Sequence, residues 1–148
     1  PGNLGTILRT MDAVGGKGVI LLDHSTDPYD TTATRASMGA LFSQILIRAT
    51  FDEFAAWKMA QQISLLGTSG AAEEDYHLTS YPDPLVVLMG SERMGLQPHH
   101  IALCDKMVKI PMAGRSDSLN LAVATGVVLY EVFNHRRGGP GYSGTGAG

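Results

Sequence analysis

"VKIPMAGRSDSLNLAVATG", residues 108–126, passes from an apolar string through a polar, glycine-bearing turn into an apolar helical pattern. Pro111 ends the string, because its ring carries no N–H for a central strand ladder. Beyond it, Ser116, Asp117, Ser118 and Asn120 crowd a helix start that one side chain could cap. The surplus marks this turn as a place that binds something. A strand that feeds a helix through such a turn is also the building unit of an α/β fold.

The same alternation runs along the chain. "GVILLD" (18–23), "QILIRA" (44–49), "ISLLGT" (63–68), "LVVLMG" (85–90) and "KMVKIP" (106–111) are short, bounded and nearly continuous in apolar residues. Runs of this kind suit parallel strands buried on both faces. Helical patterns lie between them. "NLGTILRTMDAVG" (3–15) sets Leu4, Ile7, Leu8 and Met11 on one stripe and ends in glycine. Thr50 and Glu53 form a capping box for "FDEFAAWKMAQQ" (51–62), and Leu119 to Phe133 is the longest helical stretch. The pattern predicts an α/β fold with a mainly parallel sheet flanked by helices.

Composition bounds the function. The 148 residues carry a net charge of −3, with 44% hydrophobic and 17% charged residues, as in an ordinary globular domain with its own core. The negative balance argues against indiscriminate affinity for nucleic acid. No apolar run nears the ~18 residues of a membrane span, so no membrane partner is expected. A single cysteine, Cys104, excludes an internal disulfide and a multi-cysteine zinc site, which makes a reducing, cytoplasmic setting the expectation. Residues 1–137 read as one domain. Residues 138–148, with six glycines in eleven positions, read as a flexible tail with little to bury.

Ligands of open parallel sheets sit at the carboxyl ends of strands. Three turns there are polar and glycine-bearing: "PGNLGTILRT" (1–10), "LVVLMGSERMGL" (85–96) and the opening stretch. In this order and spacing they resemble the three motifs of the SpoU family of RNA ribose 2′-O-methyltransferases, in the SPOUT superfamily. Asn3, Gly5 and Arg9 match the first, Gly90, Glu92 and Gly95 the second, and Ile110–Met112 with Ser118–Asn120 the third. "RASMGALF" (35–42) is similar to a further family segment, and the likeness covers residues 1–136.

That resemblance implies a SPOUT α/β knot, with a C-terminal trefoil knot that general topology rules would not predict. It implies S-adenosylmethionine as cofactor, held by Leu88, Met89, Gly90, Gly95, Ile110, Met112, Ser118 and Leu119. Arg9, Asn3, Glu92, Ser118 and Asn120 would be the catalytic set, acting on tRNA or rRNA without a metal. The strand and the RNA-recognition domain that usually precede the first motif in this family are not in the sequence, so the sheet is expected to lack an edge. Ala122 stands where many relatives carry serine, a mild change.

The residues have plainer readings beside these. Asn3, Ser118 or Asn120 can cap a helix, and Glu92 can favour a helix start by its charge. Glu73, Glu74, Asp75 and His77 read as a solvated loop, and His99 and His100 as loop residues. A nucleotide-binding regulatory module is the rival from another class, but "GGKG" (15–18) lacks the order of a phosphate loop. An RNA-binding pseudoenzyme of the same fold is the other, and the intact motif residues argue against it. The helix after Ser118 is apolar almost all round, with Leu119, Val123, Val127 and Tyr130 in one stripe. So wide an apolar surface is either buried or an interface. A homodimer is expected, with Arg9 of one subunit serving the other's pocket.

Overall fold

A computed structural model describes residues 2–22, 45–91, 94–116 and 118–138. Along the chain run α1 (Gly2–Ala13), β1 (Gly18–Leu22), β2 (Ile45–Ala49), α2 (Phe51–Gln61) and β3 (Ser64–Thr68). There follow β4 (Glu74–Asp75), a 3-10 turn (Tyr76–Leu78), β5 (Leu85–Leu88), α3 (Pro98–Leu103), β6 (Lys106–Lys109) and α4 (Leu121–Arg137). Each of the five expected strands is present, and β3, β5 and β6 are a residue or two shorter than the expected runs. "RASMGALF", Glu92, Asp117 and residues 139–148 lie outside the described residues.

Local chemistry sets the helix ends. The Thr50 hydroxyl accepts the Glu53 N–H at 3.1 Å, while the Glu53 carboxylate accepts the Thr50 N–H at 2.9 Å, closing the expected capping box of α2. After α1 the chain turns at Gly15, whose φ of +74° lies in the left-handed region that favours glycine. Asn3 sits within the first turn of α1 rather than capping it.

All strand pairs are parallel. β1 pairs with β2 in one sheet, and the second sheet has the order β4-β6-β3-β5. Among the described residues the expected single sheet is therefore two, and β1 and β5 each pair on one side only. The two sheets share a core cluster nevertheless, since Ile20 and Leu22 of β1 pack with Phe54, Leu65 and Leu88.

β3 lies between β5 and β6, so its successive side chains enter opposite layers. Leu66 meets Val108, Val128 and Val132 beneath α4. Leu65 meets Phe54 of α2 and Leu88. Both leucines are 1% exposed, the two-sided burial that their unbroken apolar run foretold. A third cluster joins Leu4 and Leu8 of α1 to Leu21 of β1. Burying side chains of this size contributes about 1.5–3 kcal/mol each.

Three expectations need correction. α4 starts at Leu121, not Leu119, and runs on to Arg137. His99 and His100 are helical, because Pro98 at the first position of α3 presets the helical φ. Glu74 and Asp75 form a short strand on β6, and the Asp75 carboxylate accepts the His77 N–H at 2.8 Å to start the 3-10 turn.

At the entry to β6, one Asp105 carboxylate oxygen accepts the Leu65 N–H at 2.8 Å and lies 2.9 Å from Lys58 Nζ. The Lys58 bond, then the Leu65 bond, holds the Asp105 carboxyl below its ordinary value. Its stabilisation is full above the unfolded carboxyl pKa of ~3.9 and fades as pH falls through the lower folded value. Asp105→Asn keeps an acceptor and removes the charge. It is expected to cost about 1 kcal/mol near neutrality. Denaturant titrations should show the gap from wild type narrowing towards acid pH; a gap that widens there would refute this account.

Candidate active site

Because β5, β3 and β6 are adjacent and parallel, the turns that follow them leave from the same sheet edge. They enclose a cleft of about 400 Å³. Thr68 ends β3 and Ser69 and Gly70 follow it, Met89, Gly90, Ser91, Gly95 and Leu96 come from the turn after β5, and Ile110, Met112, Ser118, Leu119 and Asn120 from the turn after β6. Leu121 and Ala124 of α4 close it. Polar backbone-rich turns set against Met89, Leu96, Ile110 and Leu121 make an amphipathic recess of the size that small ligands use.

Each wall is held by its own bonds. The turn after β5 doubles back, with the Gly95 N–H donating to the Ser91 carbonyl at 2.9 Å and the Met94 N–H to Ser91 Oγ at 3.1 Å. Gly95 has φ +63°, a conformation that L side chains rarely adopt. At Gly90 the constraint is space, for a Cβ there would lie 2.3 Å from the Gly95 carbonyl carbon. The Ser69 N–H donates to the Val108 carbonyl at 3.0 Å, tying the β3 turn to β6. Asn120 Oδ1 accepts the N–H groups of Ala122 at 2.9 Å and Val123 at 3.2 Å. Asn120 is therefore the cap of α4, an arrangement worth about 1 kcal/mol. Ser118 is left on the exposed lip of the cleft.

The sequence-predicted residues divide cleanly. Met89, Gly90, Gly95, Ile110, Met112, Ser118, Leu119 and Asn120 all line the cleft. Leu88 does not: it is buried at 9% exposure against Phe54 and Leu65, because the strand alternation turns it into the core. Asn3 and Arg9 lie on α1, outside the cleft of the single chain, with Arg9 exposed. Thr68, Ser69 and Gly70 were missed. Their signal was present in "ISLLGTSG" (63–70), a strand ending in small polar residues, but only the position of β3 between β5 and β6 gives that ending its meaning.

Behind the cleft, Cys104 packs near Gly67 and Met107, and burial pushes its thiol up to about 11. Such a thiol stays protonated and unreactive near neutrality. Among the described residues no group of three or more His, Cys, Asp or Glu is placed to hold a metal ion. No described helix is long and apolar enough to cross a membrane.

Residues 1–130 match the SpoU rRNA Methylase family. The chain belongs to that family. Among its SpoU relatives is the 23S rRNA (uridine(2479)-2′-O)-methyltransferase of Streptomyces viridochromogenes, 38% identical over 145 residues that span 94% of this chain and 50% of the relative. The structure of that organism's SpoU methyltransferase AviRb in complex with AdoMet superposes with a TM-score of 0.88 at 38% identity, covering 94% of this chain and 55% of the other. An AdoMet-bound rRNA methyltransferase of Sinorhizobium meliloti gives a TM-score of 0.87 at 43% identity, over 91% of this chain and 52% of the other. The chain thus spans about half the length of the curated relatives it matches. The SpoU match takes in all three polar turns.

Proposed function

We propose that this chain transfers a methyl group from S-adenosylmethionine to a ribose 2′-hydroxyl of tRNA or rRNA. The observation that carries this reading is the meeting of the turns after β3, β5 and β6 in one cleft, seven of whose lining residues (Gly90, Gly95, Ile110, Met112, Ser118, Leu119 and Asn120) belong to the second and third motifs. The cleft suits such a cofactor on its own terms. Its floor is apolar, Gly90 admits close backbone approach, and the Ser69, Ser118 and Asn120 side chains add polar groups at the rim.

In this reading Met89, Gly90, Gly95, Ile110, Met112, Ser118 and Leu119 hold the cofactor, with Leu88 contributing backbone only. When bound, S-adenosylmethionine supplies a methyl group already activated by its sulfonium. The protein's task is then to place the hydroxyl in line and ease the loss of its proton. A guanidinium is a poor base, because it is already protonated and holds its proton tightly. Arg9 serves better by binding the neighbouring phosphate and stabilising developing alkoxide charge, the proton passing to phosphate or water. Asn120, by capping α4, sets the position of Ser118 and Leu119. Asn3 acts from the first turn of the helix that carries Arg9, and Glu92 belongs to the second motif's share of the site. Residues 1–137 form the methyltransferase unit, residues 138–148 an extension, and the turn before α4 with α4 itself the elements that thread the trefoil knot.

Because Arg9 stands outside the cleft of its own chain, the same reading makes the active form a homodimer in the cytoplasm. α4 buries Ala122, Thr125, Val128 and Val132 but leaves Val123 52% and Tyr130 45% exposed. Those two and half-buried Val127 belong to the stripe that the sequence marked as an interface; its fourth member, Leu119, lies before α4 and lines the cleft instead. The test is incubation with labelled S-adenosylmethionine and bulk tRNA and rRNA, with binding followed by calorimetry. Micromolar binding without added metal and label recovered as 2′-O-methylnucleoside are expected. A folded chain that shows no heat with either S-adenosylmethionine or its demethylated product would overturn the assignment.

A further inference from the structure

Three rings meet where α2 and α3 begin. His99 stands edge-on to Phe51 with centroids 4.8 Å apart, and its ring centre lies 4.0 Å from that of His100. Phe51 and His100 are themselves in edge contact at 5.5 Å. The two backing rings are half-buried and anchored, whereas His99 is exposed. Phe51 is the first helical residue within the Thr50–Glu53 capping box, and His100 Nδ1 accepts the Gln97 N–H at 3.0 Å. His99 and His100 follow Leu96 of the cleft wall by three and four residues, on α3 and outside the residues that line the cleft itself.

The geometry points to His99, backed by Phe51 and His100, as a stacking platform for an unpaired nucleobase of the RNA next to the nucleotide whose ribose enters the cleft. The inference rests on the proposed function. Bases of single-stranded RNA stack on aromatic side chains, histidine included. A ring already held from beneath loses little freedom when a base covers it. The charge nearby favours a base over the phosphate backbone, since Asp52 and Glu53 occupy the first turn of α2 beside Phe51. An aromatic surface flanked by carboxylates repels phosphate and leaves the uncharged face of a base as its partner.

The test uses the whole chain and a short single-stranded RNA carrying 2-aminopurine, whose fluorescence falls on stacking. His99→Ala is expected to weaken binding roughly 5- to 100-fold and abolish the quench, while His99→Phe retains both. The ratio between wild type and His99→Ala should stay constant across salt concentrations, because no phosphate contact is lost. S-adenosylmethionine affinity should be unchanged in both variants. His99→Ala binding the probe as tightly as wild type overturns the platform, as does a ratio that shrinks with salt or a parallel loss of cofactor binding. Wild type that binds cofactor but not the probe overturns the platform alone; wild type that binds neither overturns the methyltransferase reading with it.

Discussion

Gly90→Ala is expected to weaken S-adenosylmethionine binding about 100-fold while the protein stays folded. The added Cβ would lie 2.3 Å from the Gly95 carbonyl carbon, 2.4 Å from Leu96 N and 2.7 Å from Gly95 Cα. All three are backbone atoms, so no side chain can swing aside. The turn must open, and Gly95 and Leu96, which line the cleft, move with it. Overpacking typically costs about 1–3 kcal/mol. Most of that strain can be relieved by giving up the Ser91–Gly95 bridge, which is a surface feature and not part of the core. Stability should therefore fall little while affinity falls steeply. Calorimetry alongside thermal melting separates the two. Wild-type affinity in Gly90→Ala would mean that this turn does not bear on the cofactor.

Arg9→Ala is expected to abolish methyl transfer, by 100-fold or more, and to leave cofactor affinity nearly unchanged. Losing one electrostatic stabiliser of a transition state costs about 3 kcal/mol, or two decades in rate. The arginine is exposed on α1 and does not line the cleft, so its loss should not disturb the cofactor's walls. Arg9→Lys should remain badly impaired, because it keeps the charge but loses the planar fork. If the site is shared across a homodimer, mixing inactive Arg9→Ala chains with inactive Asn120→Ala chains should restore activity, since a mixed dimer has one intact site. Activity that stays absent in every mixture after confirmed subunit exchange would confine the site to one chain. A monomer by light scattering at micromolar concentration would do the same. Loss of cofactor binding in Arg9→Ala would make Arg9 structural.

How far the sequence reached depends on the range of the interaction concerned. Helix caps and strand interiors are decided within a few residues, so the Thr50–Glu53 box and the β3 pair Leu65 and Leu66 were legible from spacing alone. The second and third polar turns were legible too, because glycine, proline and capping side chains mark them chemically. What the sequence could not order was the side-by-side arrangement of strands. That arrangement puts β3 between β5 and β6, and it alone recruits Thr68, Ser69 and Gly70 to the cleft. It also turns Leu88 inward, since the face a strand residue occupies depends on which layer covers each side.

The remaining differences concern competition among equals. Ser116, Asp117, Ser118 and Asn120 could each have capped α4 by composition; packing starts the helix at Leu121, and so gives the cap to Asn120. α4 looked apolar all round, yet only its docking on Leu66 and Val108 shows that Val128 and Val132 face inward while Val123 and Tyr130 face out. The sequence by itself determined five of the strands, the three longer described helices, the polar turns and the family. The tertiary structure decided which turns meet, which residue caps and which apolar face is left over. Those are questions of long-range packing, where contact energies between distant segments outweigh any preference written within one of them.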